Sequence, residues 1–107
     1  MSDINKEEQI VMEIIMHSAN AKDLIYEALK VSKENKFDES YEMLKKANES
    51  INKAHKSQTE WLTGEASGEE RTITALLVHA QDHLMTTMSE MNVMKEIIVL
   101  REEIYQA

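Results

Sequence analysis

The chain has no cysteine. That excludes disulfides, thiolate zinc sites and a cysteine nucleophile within it, and it suits a cytoplasmic setting. It has no proline either, and only two glycines. So few backbone breakers, among abundant Glu, Lys, Ala, Leu, Ile and Met, predict a nearly all-α protein. Basic residues are in the minority: 12 Lys and Arg stand against 20 Asp and Glu, a formal net charge of −8. Nucleic-acid binding needs a basic footprint, so no nucleic acid is expected and a basic protein surface is the favoured partner. Long apolar runs are missing as well. Ile14-Ile15-Met16 is far too short to span a bilayer, and Asp3, Glu7 and Glu8 sit where an export signal is basic. Neither membrane insertion nor export is therefore expected. There is no internal repeat and no low-complexity tract.

At 107 residues the chain predicts one domain with a modest core, which oligomerisation would help. It reads as a bundle of three helices, over about 5–35, 38–62 and 68–105. Asn5 and Glu8 form a capping box for the first. Its stripe runs Ile14, Ala21, Ile25, Ala28, Leu29 and Val31, with small residues Ser18, Ala19, Ala21 and Ala28 permitting close approach. His17 interrupts it and reads as a boundary or solvated histidine, and Asn35-Lys36 ends it. Asp38 is the expected N-cap of the second helix after a tight turn from Asn35 to Phe37.

In that helix Phe37, Tyr41, Leu44, Asn48, Ile51, His55, Gln58 and Leu62 recur at spacings of four and three, with Ala47, Ala54 and Trp61 alongside. Asn48, His55 and Gln58 within such a seam read as register-setting hydrogen bonds, with a supporting role near His79 as the alternative for His55. A loop is expected from Thr63 to Ser67, with Gly64 as the helix terminator and Ser67–Glu70 as the next capping box. The third helix carries two stripes. One is Ile73, Leu77, Ala80, Leu84, Thr87, Met91, Met94 and Ile98; the other is Leu76, His79, His83, Thr86, Val93, Ile97, Leu100 and Ile104. Two other helices can cover only one side of such a rod, so the other side needs another copy of the protein.

Into this rod His79, Gln81, Asp82 and His83 set a polar window. On a helix His79 and His83 lie about 40° apart, and Asp82 roughly 60° to the other side of His79. Three chemistries fit. Side chains at i, i+3 and i+4 can converge on a metal, although there is no Glu-x-x-His of the di-iron kind and no glutamate between paired histidines as a zinc hydrolase needs. His79 can act as a nucleophile assisted by its neighbours. Or the window is a polar layer at an interface in a non-catalytic helical-bundle interaction protein.

Val78-His79-Ala80-Gln81-Asp82-His83-Leu84-Met85-Thr86 closely resembles the active-site segment of the lactose/cellobiose-specific enzyme IIA components of the bacterial phosphoenolpyruvate-dependent sugar phosphotransferase system. Ile14-Ile15-Met16-His17-Ser18 with Ala21-Lys22, Tyr26-Glu27-Ala28-Leu29, and Ala54-His55-Lys56-Ser57-Gln58-Thr59 extend the likeness over essentially the whole chain. Ala19 stands where the family often has glycine.

The resemblance implies an all-α, up-down-up three-helix subunit assembled as a homotrimer through the third helix. It implies a phosphoryl carrier that is phosphorylated on His79 by the phosphocarrier HPr and passes the group to a cysteine of enzyme IIB. It also implies a divalent cation, Mg²⁺ foremost, held at the trimer axis by Asp82 of each subunit. Ala80 leans toward the cellobiose/chitobiose branch, since lactose members tend to have glycine there. The chemistry is sound: a neutral imidazole, with an ordinary pKa of about 6.5, is a good nucleophile. Transfer then depends on positioning and charge neutralisation. With His79 about three turns inside the expected helix, the macrodipole offers little. Donors to the phosphoryl group are sought in His83 first and, more weakly, in Gln81.

Overall fold

Asn5 caps the first helix, its side-chain oxygen accepting the Glu8 amide at 2.8 Å. The Glu8 carboxylate takes the Asn5 side-chain amide at 3.2 Å, so the box closes through side chains. From this cap the computed structural model, which describes residues 5–107, runs through three helices. These are α1 (Lys6–Ser32), α2 (Phe37–Ala66) and α3 (Ala75–Gln106). No strand occurs among the described residues. Asp3, invoked above against an export signal, lies outside them.

Side-chain bonds fix the directions. Ser57 donates to Glu13 at 3.0 Å and Ser40 to the Ala28 carbonyl at 2.8 Å, so α2 runs back along α1. Gln58 meets Gln81 and Tyr41 reaches Glu102 at 2.8 Å, which together set α3 antiparallel to α2. The molecule is therefore an up-down-up bundle measuring 56 × 30 × 19 Å. No helix among the described residues is long and apolar enough to cross a membrane.

The core follows the small residues. Ala21, Ala28, Ala47, Ala54 and Ala80 are fully buried beside Ile14, Ile25, Leu84 and Ile98. Without bulk at these crossings the helices approach closely, and dispersion contacts multiply. In α2 the inward stripe is Phe37, Ser40, Leu44, Ala47, Ile51, Ala54, Trp61 and Gly64. Asn48, His55 and Leu62, expected in the seam, are exposed. The alanines and Trp61, expected at its side, form its centre, because the α1–α2 contact selects the narrowest face of the helix. Gln58 alone of the three polar seam residues makes a bond across the bundle, to Gln81.

The helix ends differ from expectation. Asp38 is not the cap of α2: that position is Lys36, without a side-chain bond, and Asp38 sits in the first turn where it favours the helix dipole. Burial of Phe37 draws the helix start back. Gly64 does not terminate α2, which continues to Ala66. Gly68 does so one turn later at φ +92, with its amide on the Glu65 carbonyl and the Glu69 amide on the Gly64 carbonyl, both at 3.1 Å. That pair of bonds is a Schellman closure, and Asn35 at φ 62 makes the same closure after α1. Ser67 therefore opens no helix.

Residues 69–74 form an irregular strap instead. The Glu7 carboxylate accepts the Thr72 amide at 3.1 Å, and Arg71 lies over Trp61 with its guanidinium 6.0 Å from the ring centre. α3 starts after Thr74, whose hydroxyl accepts the Leu77 amide at 3.1 Å. The β-branched run Thr72-Ile73-Thr74 has weak helix preference, so the tertiary tethers prevail. Ile73, expected on the inner stripe of α3, is 71% exposed and outside the helix.

Candidate functional site: a histidine hollow between α1 and α3

The later start of α3 changes the setting of His79. It is the fifth residue of the helix, just beyond the first turn, and not three turns in. The positive end of the helix dipole is therefore nearer than expected and favours an added negative group slightly, by no more than about 0.3 kcal/mol at an exposed site past the first turn. No acidic residue occupies the first turn of α3 to oppose it.

His79, Asp82, His83 and Thr86 line an open hollow of about 340 Å³. Across it stands Lys22 of α1. His79 is exposed and His83 half-buried, with ring centres 5.9 Å apart in an edge-to-face arrangement at 78°. Buried Thr87 fixes His83 from below, its hydroxyl 3.3 Å from Nδ1. A bond in which Thr87 donates to Nδ1 leaves the imidazole proton on Nε2, available as a donor. Thr86 spends its own hydroxyl on the Asp82 carbonyl at 2.8 Å. Gln81 is turned away, its amide engaged with Gln58 of α2. His17 is half-buried on α1, and His55 is exposed on α2; neither lines the hollow.

Lys22 continues into a charged cluster. Its ammonium lies 3.1 Å from one oxygen of Glu90, and the Tyr26 hydroxyl donates to the other at 2.5 Å. The hydroxyl bond foremost, then the ammonium, holds the Glu90 carboxyl below the ordinary carboxylate range against the opposing effect of burial. The same carboxylate pushes the Tyr26 phenol up. Sequence reading missed this cluster, though spacing carried a trace of it. Lys22 and Tyr26 are four apart on one face of α1, and Glu90 is seven residues beyond His83, on nearly the same face of α3.

Among the described residues no three His, Cys, Asp or Glu side chains gather as a metal site. One subunit therefore does not fit a cation by itself. Asp82 is an exposed carboxylate, the type of donor a hard divalent ion prefers.

Fold and hollow define a helical-bundle protein that presents a histidine pair, backed by a cation, on one flank of its last helix. Residues 9–102 match the family described as "PTS system, Lactose/Cellobiose specific IIA subunit", and the chain belongs to it. It is 42% identical over 97 residues to the lichenan-specific phosphotransferase enzyme IIA component of Bacillus subtilis (strain 168), covering 91% of this chain and 88% of that one. The structure of the PTS cellobiose-specific enzyme IIA from Bacillus anthracis superposes with a TM-score of 0.92 at 39% identity, over 97% of this chain and 95% of that one. The chitobiose IIA solved in complex with HPr from Escherichia coli superposes at 0.82, with 34% identity over 95% and 99% of the two chains. The chain is thus a member of a sugar phosphotransfer family.

Proposed function

We propose that the protein is a cytoplasmic phosphoryl carrier in sugar uptake, accepting the group from phospho-HPr on His79 and passing it to a cysteine of its enzyme IIB. The observation that carries this reading is an exposed His79 imidazole in a hollow with a histidine, a lysine and a helix start around it. The His79 lone pair forms the new P–N bond as the donor's P–N bond breaks, its electron pair returning to the donor imidazole. His83 donates to the phosphoryl oxygens and offsets part of its roughly −1.5 to −2 charge. Gln81, committed to Gln58, has no direct part. The likeness to a chitobiose IIA solved with HPr supports HPr as the donor.

The cellobiose and chitobiose names of the matching structures support a disaccharide of that branch. Ala80 is fully buried, so it touches no sugar itself. Val78, Met85, Val93, Leu100 and Ile104 of α3 are 51–67% exposed and support assembly through that helix, as a homotrimer. There three Asp82 carboxylates would hold Mg²⁺, which would neutralise their mutual repulsion.

Incubation with phospho-HPr carrying labelled phosphate tests the reading. The parent takes up one acid-labile, base-stable label, and His79→Ala, which keeps the fold because His79 is exposed, takes up none. Label retained in His79→Ala, or none in the parent, overturns it; the latter outcome belongs to a bundle that serves only as an interaction surface.

A further inference from the structure

We propose that Lys22 is the cation that receives the phosphoryl group on His79, and that Glu90 is the counter-ion from which it must be drawn. This rests on the carrier reading above and assigns two residues to it. Among the described residues Lys22 is the only lysine or arginine lining the His79 hollow, and it does so from α1 while the other lining residues come from α3. Its side chain is 43% exposed, so the ammonium can swing on a flexible stem. Its present partner is 26% exposed and anchored on the far side by Tyr26, so the carboxylate stays while the ammonium moves.

Competition between two anions for one cation has a definite consequence. In the unloaded protein Glu90 holds Lys22. In the loaded protein the phosphoryl oxygens, with more charge, bid for it. Each loading event therefore forfeits a salt bridge, so the phosphohistidine is less stabilised than a free ammonium would make it. Glu90 thus sets how readily the group is passed on, and the effect on the loading equilibrium equals the differential strength of the two pairings. Lys22 touches the group being transferred and is a catalytic residue; Glu90 acts through Lys22 and is a positioning residue.

Two substitutions should move the equilibrium between HPr and this protein in opposite directions. Lys22→Ala removes a charge-assisted bond and lowers the loaded fraction constant on the order of tenfold. Glu90→Gln frees the ammonium and raises it by roughly threefold, the scale of a partly exposed ion pair. Lys22→Arg restores most of the loss. In the Lys22→Ala background, Glu90→Gln should lose the larger part of its effect, leaving only its charge interaction with His83 and its direct repulsion of the phosphoryl group. The lysine ammonium signal of ¹⁵N-labelled parent should shift when His79 is loaded. A cluster that merely clasps α1 to α3 would give shifts of the same sign from both single substitutions and a stationary ammonium signal, and either result overturns the proposal. So does a Glu90→Gln effect undiminished without Lys22. Failure of the carrier reading itself shows separately, as a parent that takes no label.

Discussion

At the scale of residues, the Tyr26–Glu90–Lys22 cluster has a window of pH in which it stabilises the fold. Glu90 has a lowered carboxyl pKa, so its contribution is present above the ordinary value of 4.5 and is lost as pH falls through the lowered one. Tyr26 has a raised pKa, so its contribution is complete below the ordinary 10.0 and is lost as pH rises through the raised one. Comparing melting temperatures of the parent and Glu90→Gln checks this. A gap of about 1 kcal/mol or less at neutral pH should close in acid; a gap that persists unchanged below 4.5 would show that the carboxylate charge plays no part. Tyr41 behaves likewise: burial first and its bond to Glu102 second push the phenol up to about 12. Such pairs were out of reach of sequence reading because their members lie 61 and 64 positions apart. His79, Asp82 and His83 were legible as a group because three and four residues bring side chains together on any helix.

At the scale of elements, the two glycines four positions apart should respond differently to the same substitution. Gly68 adopts φ +92, where a Cβ is strained, so Gly68→Ala should destabilise by about 1 kcal/mol. Gly64 lies inside the last turn of α2, where alanine gains roughly 0.5–1 kcal/mol of helix preference. Its new methyl would fall 1.6 Å from Nη2 of Arg71, the movable end of a flexible side chain. Arg71 must leave, forfeiting its bonds to Glu69 at 2.8 Å and Glu7 at 3.9 Å. Arg71 is itself 10% exposed but its partners Glu7 and Glu69 are 24% and 61% exposed, so the lost pairs, at about 1 kcal/mol, roughly offset the helix gain and the melting temperature should stay nearly level. Amide exchange across residues 69–74 should quicken all the same. A large loss of stability in Gly64→Ala, or none in Gly68→Ala, would contradict this assignment of roles. The helices themselves were legible from periodicity, and both closures of α1 and α2 use residue types that tolerate positive φ. The start of α3 was not legible. Ser67–Glu70 is a sound local capping signal, but it loses to the tethers that Glu7 and Arg71 supply from elsewhere in the fold. That error of about seven residues moved His79 away from the helix start on paper and hid the dipole's contribution.

At the scale of the whole molecule, α3 has more apolar surface than its own subunit covers. Leu77, Ala80, Leu84, Thr87, Met94 and Ile98 are buried against α1 and α2. Val78, Met85, Val93, Leu100 and Ile104 remain open, and Asn92, Val93, Glu96, Ile97 and Leu100 line a hollow of about 430 Å³. Such exposed apolar surface supports the proposed assembly through α3, and part of it, Val93, Leu100 and Ile104, was legible in the second stripe of the sequence. The exposed edge through Ala75, Val78, Asp82, Met85 and Ser89 includes one acid, Asp82. Brought to a threefold axis, three carboxylates would sit in a low dielectric, where like charges repel strongly unless protonated or bound to a cation. Assembly should then depend on divalent ion and on pH. Sedimentation of the parent is expected to show a trimer in plain buffer that weakens in EDTA at neutral pH. In Asp82→Leu, which replaces the repelling charges by apolar contact, the trimer should persist in EDTA. A parent monomeric in plain buffer, or a leucine variant that dissociates, would move the axis off this edge of α3. Labelling of Asp82→Leu from phospho-HPr is a second readout, because His79, which takes the group, is retained, with His83 and Lys22 beside it, in a hollow that Asp82 also lines.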